Sequence, residues 1–477
     1  MKILLTVHQF LPDHWSGTEI LTLDTARELR KLGHDVSVMT AHPVEEVSDA
    51  ERFDEYEYDR FRVMRFLHSI GPMGGQRNTT ESEFDNWMVA GYFRKMLRRE
   101  RFDLVHFFHL MRLSASVVDA CRELNLPTVL TPTDFWFICP TCQLRLPDNS
   151  FCQGPDPNAV NCLRHIVTLN QPAPVKKKIK RFPDWSLALL VQAAKRGWLA
   201  RWPQAEQVRA LTSRPEFLRE RLNMMDRVIA PTHLMEEMLK KNGLRPEKLV
   251  FRPYGINMTH LHNVQRRPSS KVRVGFIGTL SEHKGAQVLI TAVRSVPELR
   301  NLEVRIYGRR DVDPGFVQIL QGMAQGEDRI QFCGSFPNQE IGAVLGDLDA
   351  LVVPSIWYEN APLVVYSSQA ARLPIIASRT PGLAEIIQHD VNGLLFEPGN
   401  AEELAKILQR ICAERDLLPR LASNAPRAKS MEEYACELND LYKELVPRAS
   451  SMESSRFPTS RLRTSRARYT DVASSKL

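Results

Sequence analysis

Residues 349–378 read DALVVPSIWYENAPLVVYSSQAARLPIIAS, and the order of elements in this stretch decides the fold. Ala350 to Val353 is a short apolar run with the length of a buried parallel strand, and Pro354 ends it. A turn rich in Ser, Asn and Pro follows and carries Glu359. Pro362 to Arg372 has helix length, and Pro362 suits the first helical position because its missing N–H would be orphaned there. Ile375 to Ala377 makes the next strand. In open α/β sheets a loop placed this way lies beyond the carboxyl ends of the strands, where ligands bind. The N–H groups of Asn360, Ala361 and Leu363 are expected to meet an anion there, aided by the helix dipole.

Working outward, the C-terminal half repeats the alternation. A strand at 272–277 leads into GTLSEHKGAQVLI, where Gly278 permits a close backbone approach to phosphates and Lys284 supplies a positive charge. Strands are expected near 304–308 and 330–334, and helices from 401 to about 446. The N-terminal half opens with a strand at 2–7, the loop HQFLPDHWSGTE, a helix from about 20 to 32 stopped at Gly33, and a strand at 36–40. That is a Rossmann-like beginning, in which Gly17 allows a backbone approach to a ligand. A strand ending in His109 and another before Thr133 and Asp134 follow. Residues 45–101 are less legible. WMVAGYFRKMLRRERF from Trp87 reads as a basic amphipathic helix, either an ordinary surface helix or a contact for an anionic membrane.

The segments PSIWYENAPLVV, LPIIAS, PGLAEII and NGLLFEPGN together resemble the donor site of retaining glycosyltransferases of family 4. The resemblance implies an α/β fold of the GT-B type: two Rossmann-like domains facing each other across a cleft, with a C-terminal helix crossing back. It implies residues 1–255 as the acceptor domain, bearing inserts at about 139–220, and 256–446 as the nucleotide-sugar donor domain. It also implies that Glu359 lies near the transferred sugar, that Lys284 holds the diphosphate, and that His109 and Asp134 serve the acceptor side as catalytic candidates. Three positions depart from the family pattern. Ser367 stands where a second Glu holds the ribose, Thr133 where a His lies near the sugar, and Thr279 where an Arg pairs with the Lys; His283 or Arg309 could substitute for that Arg. The implied activity is transfer of a sugar from a nucleotide diphosphate sugar to a glycan or lipid-linked acceptor in polysaccharide synthesis, with no metal cofactor for catalysis. A catalytically weakened protein that binds the donor or a partner remains the alternative.

Cys139, Cys142, Cys152 and Cys162 are spaced C-x2-C-x9-C-x9-C, a pattern open to a structural zinc or to free thiols. Between 175 and 202 the chain is basic and aromatic, so it is either a membrane-surface contact or a helical hairpin packed on the first domain. No apolar run approaches the length of a membrane span, and the N-terminal run is too short for a signal peptide, so a cytoplasmic location, peripheral at the inner face of the cell membrane, is expected. The net charge is +7, and the segment 448–477 carries seven Lys or Arg against Glu453 and Asp471. Most of the excess therefore sits in a Ser/Arg-rich tail, 447–477, expected to be disordered. The nearly balanced body argues against nucleic acid as a partner.

Overall fold

The computed structural model describes residues 1–446 except 70, 72, 77, 149, 262 and 263, so the expected disordered tail lies outside the described residues. Two sheets organise the chain. The first contains β1 (Lys2–Val7), β2 (Asp35–Val44), β3 (Phe53–Tyr58), β4 (Phe61–Ser69), β5 (Leu104–Phe107), β6 (Thr128–Leu130), β7 (Arg227–Ala230) and β8 (Leu249–Phe251). The second contains β9 (Val272–Ile277), β10 (Leu302–Tyr307), β11 (Ile330–Gly334), β12 (Ala350–Val353), β13 (Ile375–Ser378) and β14 (Gly393–Phe396). The strand orders are β3-β4-β2-β1-β5-β6-β7-β8 and β11-β10-β9-β12-β13-β14. All neighbours pair in parallel except β3 with β4.

Helices cover both faces, which is why central strands are apolar on both sides. Ile3, Leu4 and Leu5 are all fully buried, and so are Ala350 and Leu351. Each sheet has a switch point where the strand order reverses, between β1 and β5 in the first and between β9 and β12 in the second. Ligand crevices open at such points, beyond the carboxyl ends of the strands. The loops following β1, β9 and β12 are those that carry Gly17, Lys284 and Glu359.

The second sheet is tied back to the first by the helix Met431–Leu445, which Ser430 and Glu433 cap reciprocally. Tyr434, Leu438, Leu441 and Tyr442 of this helix share a core with Ile3, Leu5 and Leu29. The Tyr442 hydroxyl lies 2.5 Å from His106 Nδ1, at the centre of the first sheet. The two passes between domains touch at Gly255, where a Cβ would lie 2.3 Å from the Ser430 carbonyl oxygen.

Some expected boundaries move. The helix expected from about 20 runs Gly17–Lys31, because Ser16 is its N-cap and Glu19 closes onto the Ser16 N–H at 2.8 Å. Pro362 is the N-cap of Leu363–Ala370 and not its first residue. The helix Trp87–Glu100 buries Val89, Phe93, Met96 and Leu97 in the first domain's core, the packing of an ordinary surface helix. Between β6 and β7 the described residues form four helices, Val160–Asn170, Ala173–Arg181, Asp184–Lys195 and Ala205–Met224. They enclose a small core of their own around Leu163, Leu187, Val191 and Leu211.

Candidate active site

The carboxyl ends of the two sheets face each other across a cleft of about 720 Å³. Gln9, His14, Trp15, Ser16, Gly17 and Ile20 form one wall. The other is built by residues 277–279, Lys284, Tyr307 to Arg309, Asp311, Ser335, Phe336, residues 362–364 and Ser367. A side chain at Gly17 would meet no atom within 4 Å, so the first turn of its helix opens directly onto the cleft.

Behind the second wall Glu359 is buried. Its Oε1 accepts from Lys284 Nζ at 2.8 Å, from the Ser355 hydroxyl at 2.6 Å and from Trp357 Nε1 at 2.9 Å. Burial alone would raise the pKa of this carboxyl. The Lys284 ammonium and the three hydrogen bonds outweigh burial and hold it below the ordinary value. Lys284 also lies 4.8 Å from the centroid of the Trp357 ring, an arrangement that favours the cation. The ammonium thus projects from a fixed anion towards the cleft. The approach of these two loops depends on Gly285, whose φ is +80°. A Cβ there would sit 1.8 Å from the Pro354 carbonyl oxygen. Gly285 was not singled out in the sequence; its place directly after Lys284 was the available signal.

Of the residues expected to contact the donor, Gly17, Gly278, Lys284, Leu363 and Ser367 line this one cleft. Asn360 and Ala361 do not. Asn360 is buried against the first domain: its Oδ1 accepts from the Thr232 hydroxyl at 2.8 Å, and its Nδ2 donates to the carbonyls of Pro132 and Thr133 at 3.3 Å. Ala361 packs in the core shared with that domain. They clamp the two domains together. Glu385 works in the same way, accepting from the N–H groups of His233 and Leu234 at 2.7 and 2.5 Å and so capping a helix of the opposite domain.

The acceptor-side candidates lie behind the cleft wall. His109 Nε2 donates to Asp134 Oδ2 at 2.9 Å, while its Nδ1 accepts the Met111 N–H at 3.1 Å. Both ring nitrogens are engaged, the ring is buried, and neither residue is on the cleft wall. Asp134 also accepts the Trp136 N–H at 2.8 Å. The pair therefore shapes the loop after β6. Two further residues pack against this pair: His8, whose ring centroid lies 4.3 Å from that of His109 with the planes tilted by 45°, and buried Glu19, 3.6 Å from His8. Burial, then the charges of His109 and Arg112, push the His8 pKa well down, leaving a neutral ring. Thr133 bonds to Thr18 across the base of the cleft at 3.0 Å.

Two substitutes for the missing basic residue at Thr279 were open. His283 is held neutral, its pKa lowered to about 4 by burial and then by Lys284. Arg309 stays charged and lines the cleft, paired with Asp311 at 2.5 Å. Asp311, Val312 and Asp313 have Asp-x-Asp spacing, which the sequence reading did not recognise near a strand end. Asp311 is held by Arg309, and Asp313 caps the helix Pro314–Ala324.

The four cysteines separate. Cys142 lies with His109 and Asp134, whose potential ligand atoms fall within 4.8 Å of one another. Cys139, Cys152 and Cys162 line a different cavity together with His165.

Two facing Rossmann-like domains with a cleft at their switch points are the GT-B architecture of glycosyltransferases. Residues 15–260 match the family described as Glycosyltransferase Family 4, and residues 257–428 match Glycosyl transferases group 1. The chain belongs to this glycosyltransferase family. The amylovoran biosynthesis glycosyltransferase AmsK of Erwinia amylovora is 30% identical over 201 residues, covering 40% of this chain and 46% of that protein. The putative colanic acid biosynthesis glycosyltransferase WcaL of Escherichia coli is 26% identical over 234 residues, covering 46% and 55%. The chain spans about half the length of the curated relatives it matches. Among solved structures, Anabaena Alr3699/HepE in complex with UDP and glucose superposes with a TM-score of 0.61 at 16% identity, over 92% of this chain and 99% of that one. WaaG, a glycosyltransferase involved in lipopolysaccharide biosynthesis, gives 0.57 at 15% identity, over 92% and 99%.

Proposed function

We propose that the protein is a retaining glycosyltransferase that moves a sugar from a nucleotide diphosphate sugar to a glycan or lipid-linked acceptor in polysaccharide synthesis. The observation that carries this reading is Lys284, anchored on buried Glu359 and presented to a cleft at the meeting point of two switch-point loops. A diphosphate suits Lys284 and Arg309, the N–H groups at the start of Leu363–Ala370, and the bare backbone at Gly278. Tyr307 and Phe336, 5.4 Å apart edge to face, offer an apolar wall for the base.

The chemistry that follows is electrostatic. As the sugar–phosphate bond breaks, charge grows on the leaving phosphate, and an ammonium already in place stabilises it without reorganisation. A double displacement would need a carboxylate nucleophile beside the anomeric carbon. Asp311 is the carboxylate on the described wall, and Arg309 holds it. Attack on the face from which the phosphate leaves, with that phosphate taking the acceptor's proton, retains configuration without such a group. The absence of a metal requirement belongs to the same proposal.

A weakened donor-binding protein remains the second reading, favoured by Ser367, which faces the cleft where the family pattern has a carboxylate. One experiment separates the two. UDP-, GDP- and ADP-sugars are offered to the purified protein with and without chelator, and nucleotide release is measured; UDP-glucose is the first choice, because a related fold binds it. Release of one nucleotide, lost in Lys284→Ala and unaffected by chelator, supports transfer. Binding of a donor without release supports the second reading, and neither binding nor release refutes both.

The lipid-linked arm rests on the helical insert. Phe182, Trp185, Leu189 and Trp198 are exposed there, beside Lys176, Lys177, Lys178 and Arg181. Trp202, at the end of the same basic and aromatic stretch, is half-buried in the insert's own core. No described helix is long and apolar enough to cross a membrane, so contact would be through this outer face.

A further inference from the structure

Away from the cleft, the loop after β6 and the helix Val160–Asn170 enclose about 10 Å³, room for one water-sized body. Its wall contains the thiols of Cys139, Cys152 and Cys162 and the imidazole of His165. Each of the four is at least nine-tenths buried. None of the cysteines is in a disulfide, and His165 has no hydrogen-bond partner among the described residues. Its ring nitrogens are therefore open to a metal ion.

The local backbone fixes these groups. Cys162 and His165 stand three apart on one helix, so they present to the same side. Asp156 accepts the N–H groups of Val160 and Asn161, and the Asn161 side chain accepts the Cys162 N–H at 2.8 Å, which sets the start of that helix. The Cys152 N–H donates to the Leu144 carbonyl at 2.7 Å, folding the chain that carries Cys152 back beside Cys139.

We propose that Cys139, Cys152, Cys162 and His165 hold one structural zinc ion. Three thiolates and one neutral imidazole are a closed tetrahedral donor set for Zn²⁺, and no position is left for substrate. On binding, the thiols lose their protons to solvent and the side chains close on the ion by rotation. This ligand set differs from the one the C-x2-C spacing suggests, because Cys142 turns away towards Asp134 and His165 takes its place. Among the described residues only the trio of His109, Asp134 and Cys142 has its potential ligand atoms within 4.8 Å of one another, so the proposed four must draw together on binding; in the trio both nitrogens of the histidine are already bonded.

The ion would tie the loop between Cys139 and Cys152 to the helical insert. That loop and the residue after it brace the donor side: Arg145 pairs with Glu282 at 3.0 Å, Gln153 Nε2 donates to the Tyr358 hydroxyl at 2.9 Å, and Phe151 stacks on Tyr358 at 4.2 Å. Glu282 is two residues from Lys284, and Tyr358 adjoins Glu359. This consequence rests on the transferase reading, whereas metal binding does not.

The test is metal content of the full chain by mass spectrometry, with cobalt substitution as a second readout. About one zinc per chain is expected in the wild type and in Cys142→Ser, and the cobalt form should show thiolate charge-transfer bands with tetrahedral d–d bands. Cys162→Ser and His165→Ala should lose the metal, while His165→Cys should keep it; circular dichroism establishes that each variant is folded. Wild type without zinc that also takes up no cobalt overturns the proposal. So does a pattern in which Cys142→Ser loses the metal and His165→Ala retains it. Zinc loss that leaves donor hydrolysis unchanged would remove only the bracing role.

Discussion

At the residue scale the site turns on one ion pair. Glu359 is buried and Lys284 half-buried, so removing one member strands the other. Lys284→Ala leaves a carboxylate with no counter-charge, a change that typically costs about 3 kcal/mol; it should lower Tm and abolish donor hydrolysis. Glu359→Gln keeps the shape and frees the ammonium to move, and turnover is expected to fall by roughly 10²-fold with the fold intact, the scale of a lost preorganised electrostatic contact. In a double-mutant cycle with Lys284→Met the two stability losses should fall short of additive by about 1 kcal/mol or more; strict additivity would mean that the pair is not coupled. The sign with pH follows from the depressed carboxyl. Its contribution is complete above the ordinary carboxylate range and is lost as pH falls through the folded value. Acid should therefore narrow the stability gap between wild type and Glu359→Gln.

At the scale of elements, what was legible and what was not divides along turn chemistry and burial. The strands 272–277 and 330–334 agree with the sequence reading to the residue: the first is a central strand buried from Arg273 to Phe276, and the second is an edge strand in which Ile330 and Phe332 alternate with exposed Gln331 and Cys333. β3 and β4 were missed. They form the antiparallel edge of the first sheet, where β3 alternates Asp and Glu with aromatics, and their two-residue turn is Asp59-Arg60, with φ of 51° and 61° and no glycine to announce it. An arginine in that left-handed conformation is strained, so Arg60→Gly is expected to raise stability by about 1 kcal/mol in a thermal or urea melt. Lys284 and Glu359 were legible because they lie on loops whose position the strand order fixes. The roles of Asn360, His109 and Cys142 were not, since each depends on partners more than twenty residues away or on which way a loop turns. The helical insert allows a test of its outer face. Trp185→Ala with Trp198→Ala should markedly reduce co-sedimentation with phosphatidylglycerol vesicles, and salt should weaken the wild type's binding, while donor hydrolysis in solution stays unchanged. Equal sedimentation of wild type and variant would assign those tryptophans another role.

At the scale of the whole molecule, the domains are joined by buried polar contacts as well as by apolar packing, and four histidines in or near the cores have pKa values lowered by burial. His106 lies between the first sheet and the returning C-terminal helix, bonded to Tyr442 and to the Thr131 hydroxyl at 2.8 Å, and burial lowers its pKa to about 3. His68 is lowered to about 4 by burial and then by Arg112 and Arg52; His283, beside Lys284, is also near 4. His8 is shifted down too. A histidine whose folded pKa lies below its unfolded value of about 6.5 binds its proton only on unfolding. Its stabilising contribution is therefore complete above pH 6.5 and shrinks as pH falls, by about 1.4 kcal/mol per pH unit for each such group until its folded value is reached. The depressed carboxylates act only lower: Glu100, held near 2 by Arg62 against burial, begins to cost stability below the ordinary carboxylate range. Between pH 7 and pH 5 the histidines dominate, and several titrate together. Tm should consequently fall steeply over that interval, well before the carboxylates protonate. Because His106 joins the C-terminal helix to the first sheet, proteolysis near residue 430 should accelerate over the same range. A melting profile flat from pH 7 to pH 5 would mean that these rings are already charged or solvated in the folded state, and the polar seam between the domains would then not be the acid-sensitive element.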